Sequence, residues 1–392
     1  MITPKGFLFS TVEAAIKRPG RKDLALIFSE REAVVSGLFT SNRVKAAPVK
    51  LDMKRIRSGK GRAIVVNSGN ANACRGEQGL KDAEEMTELV ARRAGIDRAG
   101  VYVCSTGVIG TPLPMGRIRP AIPELTDSLG NATIHDVAAA IMTTDTFPKV
   151  SCKRLRLGNR AVTIAGICKG AGMISPQMAT MLCFILTDAG ITRSALDAAL
   201  KRAVGGSFNK ITVDGDRSTN DSVLVMANGE AGNEVLEEGS ASFTNFALAL
   251  AGVTAALSRM IVRDGEGATK LVEIEVRNAR NPSDAEKAAF SVANSLLVKT
   301  AIYGNDANWG RIMAALGHSG IAMNEETTDI YFGRVRVARK GLATGKDKEA
   351  SHVLQQKEIR IIIDLHCGIA STRVLTCDLT ENYVRINAEY RT

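Results

Sequence analysis

Ten short apolar runs recur along the chain without a regular helix between successive pairs, and that irregularity restricts the fold more than any other feature. They lie at 24–28, 33–39, 62–66, 100–104, 161–167, 181–187, 222–226, 271–277, 329–337 and 358–366. Such runs read as strands, and the last two alternate apolar and polar for part of their length, as strands with one solvated face do. Residues 79–94 instead place Leu80, Ala83, Met86, Leu89 and Val90 on one helical face. Ala-rich helices are expected at 193–204, 242–262 and 283–300, the last opened by Asn281-Pro282-Ser283-Asp284. Strands and helices mixed without β-α alternation predict an α+β fold, a layered sandwich of sheets and helices, rather than a doubly wound parallel sheet. The 392 residues suffice for two or three domains. The loop Asn278-Ala279-Arg280-Asn281-Pro282 marks the expected boundary between a larger domain, 1–280, and a smaller one, 281–392.

Hydrophobic residues make up 45% of the chain and charged residues 23%, which excludes wholesale disorder. No run approaches the roughly 18 uninterrupted apolar residues of a membrane span. Met1–Phe7 show neither a charged-then-apolar leader nor an Arg-rich presequence, so a cytoplasmic protein is expected. The net charge of +10 is uneven, with 27 basic and 15 acidic residues in 1–179 against 24 and 26 in 180–392. A basic first half, densest at Lys54–Arg62, attracts anions, but aromatic residues are only 4% of the chain, too few for base-stacking platforms. Neither nucleic-acid nor membrane partners are expected, and a solvated basic surface explains the run. The seven cysteines form no C-x-x-C pair and the four histidines no H-E-x-x-H, so neither a disulfide framework nor a metal site is expected.

The familiar nucleotide and hydrolase signatures are missing: there is no G-x-G-x-x-G, no G-x-x-x-x-G-K-[ST] and no G-x-S-x-G. More informative is Lys169–Phe184, where a glycine-rich loop carrying Pro176 feeds Thr180 at the mouth of an apolar strand. A hydroxyl there is placed to attack the preceding carbonyl, turning amide into ester and releasing a new N-terminal threonine. Such a residue holds nucleophile and base together, because its α-amine, with an ordinary pKa of about 8, accepts the hydroxyl proton. The competing explanation is a Thr that merely opens a strand, where its β-branch is favoured. Cys104–Gly110 is a small-residue loop after a strand, of the kind that aims a hydroxyl and an N–H at one oxygen. Met142–Thr146, Asp264–Gly267 and Asn387–Thr392 are short and polar, and each by itself reads equally as a capped turn.

Taken together these segments resemble the ornithine acetyltransferase (glutamate N-acetyltransferase) family of arginine biosynthesis. The resemblance runs through Phe39–Val49, Asn67–Ala73, Ser105–Gly110, Thr143–Pro148, Lys169–Thr180, Thr212–Asp216, Asp264–Lys270, Asn308–Arg311 and Asn387–Thr392, in that order. Ala171, Gln177 and Cys183 stand where the family pattern has Ser, Asn and Ala, and Arg217 interrupts the run after Asp216. None of these changes removes a reacting atom.

The resemblance implies a self-processing, N-terminal-nucleophile-like acyltransferase fold cut between Ala179 and Thr180, giving an α chain, 1–179, and a β chain, 180–392. It implies Thr180 as the acyl-accepting nucleophile, and the Thr106 hydroxyl with the Gly107 N–H as the oxyanion hole. Thr143, Lys169, Thr180, Glu266, Asn387 and Thr392 fall where the family binds substrate. Lys169 is suited either to a substrate α-carboxylate or to holding down the pKa of the Thr180 amine, and Glu266 to a cationic amine. The implied reaction is ping-pong transfer of acetyl from N2-acetylornithine to glutamate without metal or organic cofactor, with acetyl-CoA as a further candidate donor. A heterotetramer of two α and two β chains is the family expectation. The alternative is a self-processing amidohydrolase that passes the acyl group to water.

Overall fold

The computed structural model describes residues 3–175 and 181–389 and divides into two compact units. The first comprises Met1–Asn209 with Asp216–Ile261, and the second Lys210–Gly215 with Val262–Thr392.

Among the described residues the first unit holds eight strands: β1 (Phe7–Val12), β2 (Leu24–Phe39), β3 (Lys60–Asn70), β4 (Val101–Val108), β5 (Lys149–Leu157), β6 (Arg160–Lys169), β7 (Leu182–Thr187) and β8 (Ser222–Ala227). They run in the order β4-β3-β2-β8-β7-β6-β5, with β1 also paired to β2. The runs at 24–28 and 33–39, expected as two strands, are the two ends of β2. Its first half pairs with β1 and β3 and its second with β8, while the β3 pairing breaks register between Phe28 and Ala33 and resumes at Ala33 and Val34. The polar stretch Ser29–Glu32 that separates the two runs in sequence is where the pairing changes.

Ile64, Val66, Tyr102 and Cys104 from β3 and β4 share one buried cluster with Ile167, Phe184, Leu186, Leu224 and Met226 from β6 to β8. The two halves of the sheet therefore face each other across an apolar layer. They are accompanied by the helices α1 (Ala47–Arg55), α2 (Gly76–Ala94), α3 (Met115–Asp127), α4 (Ile134–Ala140), α5 (Arg193–Gly205) and α6 (Ala241–Arg263). Leu51, Met86, Val90 and Ile118 of α1 to α3 cover Leu26, Val65 and Val103 on the outer face of one half. On the other side Val253 and Leu257 of α6 pack onto Gly166 of β6. By length and composition α6 is able to cross a membrane. Its buried residues Phe243, Phe246, Leu250, Val253, Leu257 and Ile261 recur every three or four positions, as in a core helix that buries one face.

The division between the units falls inside α6, between Ile261 and Val262. The second unit then adds β9 (Leu271–Ala279), β10 (Asp329–Phe332), β11 (Val335–Arg339), β12 (Leu342–Ala343), β13 (Glu358–Asp364) and β14 (Ala370–Cys377), in the order β12-β11-β10-β13-β9-β14. Its helices are α7 (Pro282–Ala293), α8 (Leu296–Tyr303), α9 (Trp309–Gly317), α10 (Asp347–Leu354) and α11 (Glu381–Ala388). The loop at 278–282 lies within this unit and joins β9 to α7, since β9 is bound on both edges by β13 and β14. The expected helix at 283–300 is two helices, because the Ser295 hydroxyl caps a new one at the Val298 N–H. The run at 329–337 is a hairpin, β10 to β11, rather than one strand. Both units are α+β sandwiches of sheets and helices.

Candidate active site

The β-ladders of the first unit carry the chemistry-bearing residues to matching strand ends. Lys149 opens β5 opposite Cys168, Lys169 closes β6 opposite Leu182, and Ser222 opens β8 opposite both Leu182 and Phe39. Thr106, near the C-terminal end of β4, pairs with Ser68 and, through a bulge, with Asn70.

That bulge explains the sequence Asn67–Ala73. Ser105 Oγ donates to Asn67 Oδ1 at 2.5 Å and Asn67 Nδ2 to the Asn70 carbonyl at 2.9 Å. Asn70 Nδ2 holds the Thr111 hydroxyl and the Pro112 carbonyl, each at 3.0 Å. Gly107 adopts φ +136°, and a Cβ there would lie 2.2 Å from the Gly69 carbonyl carbon and 2.4 Å from the Asn70 nitrogen. Only glycine fits, so the loop around buried Thr106 is set by backbone contact.

Asp145 organises the other flank. Its Oδ1 accepts from Lys149 Nζ and from the Gly170 N–H, both at 2.7 Å, and its Oδ2 from the Thr143 N–H at 3.0 Å. Lys149 and Asp145 side chains are both 0% exposed. Burial pushes the Asp145 carboxyl up, but the Lys169 and Lys149 ammonium groups and these hydrogen bonds outweigh it and hold the pKa at about 2. One ionised carboxylate thus fixes Thr143 and the start of the Lys169–Ser175 loop. Arg21 Nη2 and Ser68 Oγ, each bonded to the Ala140 carbonyl, brace the chain entering Thr143.

The strand that follows Thr180 is gripped by Asp221, whose Oδ1 accepts from the Met181 N–H at 3.0 Å. Asp221 is fully buried, and burial drives its pKa well up against the Met181 amide, the Thr40 hydroxyl and the Lys169 charge. Ala179 and Thr180 themselves, like Thr392, lie outside the described residues.

In the second unit Asn387 Nδ2 donates to Glu266 Oε2 at 2.8 Å. Thr380 Oγ1 donates to the Gly267 carbonyl at 2.7 Å, and a Cβ on Gly267 would fall 2.6 Å from the Tyr383 nitrogen, so α11 rests directly on that turn. The structure therefore joins Thr143 to Lys169 through Asp145, and Glu266 to Asn387 directly.

Asp145, Asn220 and Asp221 escape the sequence reading as individual residues. The one signal for the last two is a polar quartet, Thr219–Ser222, set immediately before the apolar run of β8. Among the described residues no group of three or more His, Cys, Asp or Glu is arranged to hold a metal ion.

A family model described as the ArgJ family matches residues 8–392. The chain is 56% identical over 390 residues to the arginine biosynthesis bifunctional protein ArgJ of Geobacter sulfurreducens, covering 99% of each. It is 46% identical to the protein of the same name from Thermotoga neapolitana, covering 100% of each. The crystal structure of the arginine biosynthesis bifunctional protein ArgJ from Bacillus halodurans is 46% identical with a TM-score of 0.51, covering 52% of this chain and 97% of that one.

Proposed function

The chain belongs to the ArgJ family of bifunctional arginine-biosynthesis enzymes, and we propose that it moves acetyl from N2-acetylornithine to glutamate through an acyl-threonine. The observation that carries this reading is the 56% identity to an ArgJ protein over 99% of both chains.

The reaction begins with self-cleavage. The Thr180 hydroxyl attacks the Ala179 carbonyl carbon, the peptide nitrogen leaves as the Thr180 α-amine, and water then hydrolyses the ester. In transfer, Thr180 Oγ attacks the acetyl carbonyl while its α-amine takes the hydroxyl proton. The negative charge that develops on the acetyl oxygen is met by the Thr106 hydroxyl and the Gly107 N–H, and the proton passes to the departing ornithine amine. Glutamate's amine then attacks the acetyl-threonine by the same path in reverse, so the residues themselves supply all the chemistry and no metal or organic cofactor is required. Thr143, Lys169, Glu266, Asn387 and Thr392 bind substrate, Lys169 receiving the α-carboxylate and Glu266 the side-chain ammonium of ornithine. The rigidity of the Gly107 backbone supports the assignment of the hole, since a preorganised donor acts without reorganisation during reaction.

The half-length match to the B. halodurans chain supports a cut near the middle. We further propose acetyl-CoA as the donor of the second activity, and an assembly of two α and two β chains in the cytoplasm.

Denatured intact mass of the purified protein tests the reading. Two chains are expected, the second beginning Thr-Met-Leu-Cys, and Thr180→Ala should remain a single inactive 41.7 kDa chain. A cut and active Thr180→Ala protein overturns the mechanism. Acetyl release that ignores glutamate reassigns the enzyme as a hydrolase.

A further inference from the structure

Two consecutive residues outside every segment assigned above reach both halves of the reaction centre. Asn220 Nδ2 spends its two hydrogens on the Ala71 carbonyl at 2.7 Å and the Ser105 carbonyl at 2.8 Å. Its Oδ1 accepts from Thr219 Oγ1 at 2.6 Å, so the amide is unable to flip without setting its oxygen against two carbonyls. Asp221 Oδ1 takes the Met181 N–H, and the Ser222 N–H returns a bond to the Met181 carbonyl at 3.1 Å.

The partners are not arbitrary backbone groups. The Ser105 carbonyl belongs to the same planar peptide unit as the Thr106 N–H, and the Met181 N–H to the same unit as the Thr180 carbonyl. Asn220 and Asp221 therefore grip the peptides that carry the two residues which, on the function proposed above, must stand a fixed distance apart. The segment is itself anchored. The Thr40 N–H donates to the Asp221 carbonyl at 3.0 Å, the Ala46 N–H to the Thr219 carbonyl at 2.9 Å, and Thr40 Oγ1 to the Ser218 carbonyl at 2.8 Å. Asn220 is 5% exposed and Asp221 0%, so water does not substitute readily for either side chain.

We propose that Asn220 and Asp221 are a pair of positioning residues that set the spacing between the oxyanion loop at Ser105–Gly107 and the nucleophile strand that starts at Met181. The inference rests on the proposed roles of Thr106 and Thr180. Misplacing a reacting group by about 1 Å costs on the order of 10²-fold in rate, and that is the loss expected here.

The test is a double-mutant cycle on the full-length protein. Asn220→Ala should lower kcat by about 10²-fold with KM held within about 3-fold. In a Thr106→Ala background the same change should add little, because both act on one loop. Asp221→Ala should slow self-cleavage, and Asp221→Asn, which keeps an acceptor for the Met181 N–H, should recover most of that loss. If Asn220→Ala does not accumulate, Thr219→Val removes only the donor that orients the amide, and should lower kcat by about 5-fold with the same non-additivity. An Asn220→Ala enzyme as fast as the parent, or losses that multiply fully with Thr106→Ala, overturns the pairing. A slow Thr106→Ala enzyme beside a fully active Asn220→Ala enzyme does so while leaving the oxyanion hole standing. An Asp221→Asn protein as slow to cleave as Asp221→Ala assigns Asp221 to proton transfer and overturns its positioning role.

Discussion

The Asp145 cluster of the first unit is closed off from solvent, whereas the arginine partners of Glu275 in the second reach into it. In the first, Asp145 sits with Lys149 at zero exposure, next to a Lys169 that is 3% exposed, and it accepts from Lys149, Gly170 and Thr143, at or beside the proposed site. In the second, among the described residues, Arg277, Arg360 and Arg373 gather on Glu275 of β9, whose side chain is 7% exposed while the arginines are 40–60% exposed. The helix α11 that carries Asn387 buries none of its residues. A charge withdrawn from water must be matched by its partners, and removing one partner strands the other, whereas an exposed pair falls back on solvent. On the proposed roles, the cluster beside Lys169 keeps groups of the site immobile, whereas Asn387 sits on an element that solvent competition is able to loosen.

The largest effect should come from the buried side. Asp145→Asn leaves Lys149 and Lys169 without the carboxylate between them, and is expected to cost on the order of 3–5 kcal/mol in chemical denaturation. Its pH signature has a definite sign. The folded pKa of about 2 lies below the ordinary 3.8, so the stabilisation is complete above about pH 4 and is lost as pH falls through 2. The gap in Tm between the parent and Asp145→Asn should accordingly shrink across that window. A gap that stays constant from pH 4 to 2 would show that Asp145 is not the carboxylate that matters.

Next is Gly107→Ala. The new methyl would fall within 2.5 Å of three atoms of the Gly69–Asn70 peptide, with φ +136° as a second obstacle. Strand β4 must shift away from β3, and kcat should fall by about 10²-fold or more. An active Gly107→Ala enzyme with parental kcat would mean that the loop is softer than its packing indicates.

How much of this is legible in the sequence depends on burial and on separation along the chain. Apolar runs announced the central strands, because a strand buried on both faces needs apolar residues throughout, as in Leu182–Leu186. Edge strand β5 passed unnoticed: Lys149–Leu157 carries Lys153, Arg154 and Arg156, the charged dress that protects an unpaired edge. Helix α3 was hidden by Pro120 and Pro123 inside it. At the site, the segments that carry Thr106, Lys169 and Glu266 stand out as short polar or glycine-rich loops, but the roles of the individual residues come only through resemblance to a family. Asn220 was invisible for a plainer reason. Its partner, the Ser105 carbonyl, is 115 residues away and has no side-chain identity to detect.

Smaller effects belong to the second unit. Asn387→Ala removes the donor to Glu266 Oε2 and one link holding α11 to its turn. KM for N2-acetylornithine should rise by roughly 10-fold, equivalent to about 1.4 kcal/mol, with kcat nearly unchanged, because the role proposed for Asn387 is to hold substrate rather than the developing oxyanion. A fall in kcat at constant KM would move Asn387 from selection to chemistry and erase the contrast between the units.

Smallest of all should be Arg373→Ala. Arg373 Nη2 stands 3.4 Å from Glu275 Oε1, its Nε stands 3.8 Å from Glu273 Oε1, and its side chain is 60% exposed. Arg277 and Arg360 remain on Glu275 after its removal. The expected cost is below about 1 kcal/mol, and it should fall further as salt is raised, because an exposed pair is screened within a Debye length of roughly 10 Å at 0.1 M. The Asp145→Asn penalty, measured in the same salt series, should barely move. Should Arg373→Ala instead cost as much as Asp145→Asn and ignore salt, the face of the second sheet is not open in solution, and something must cover it.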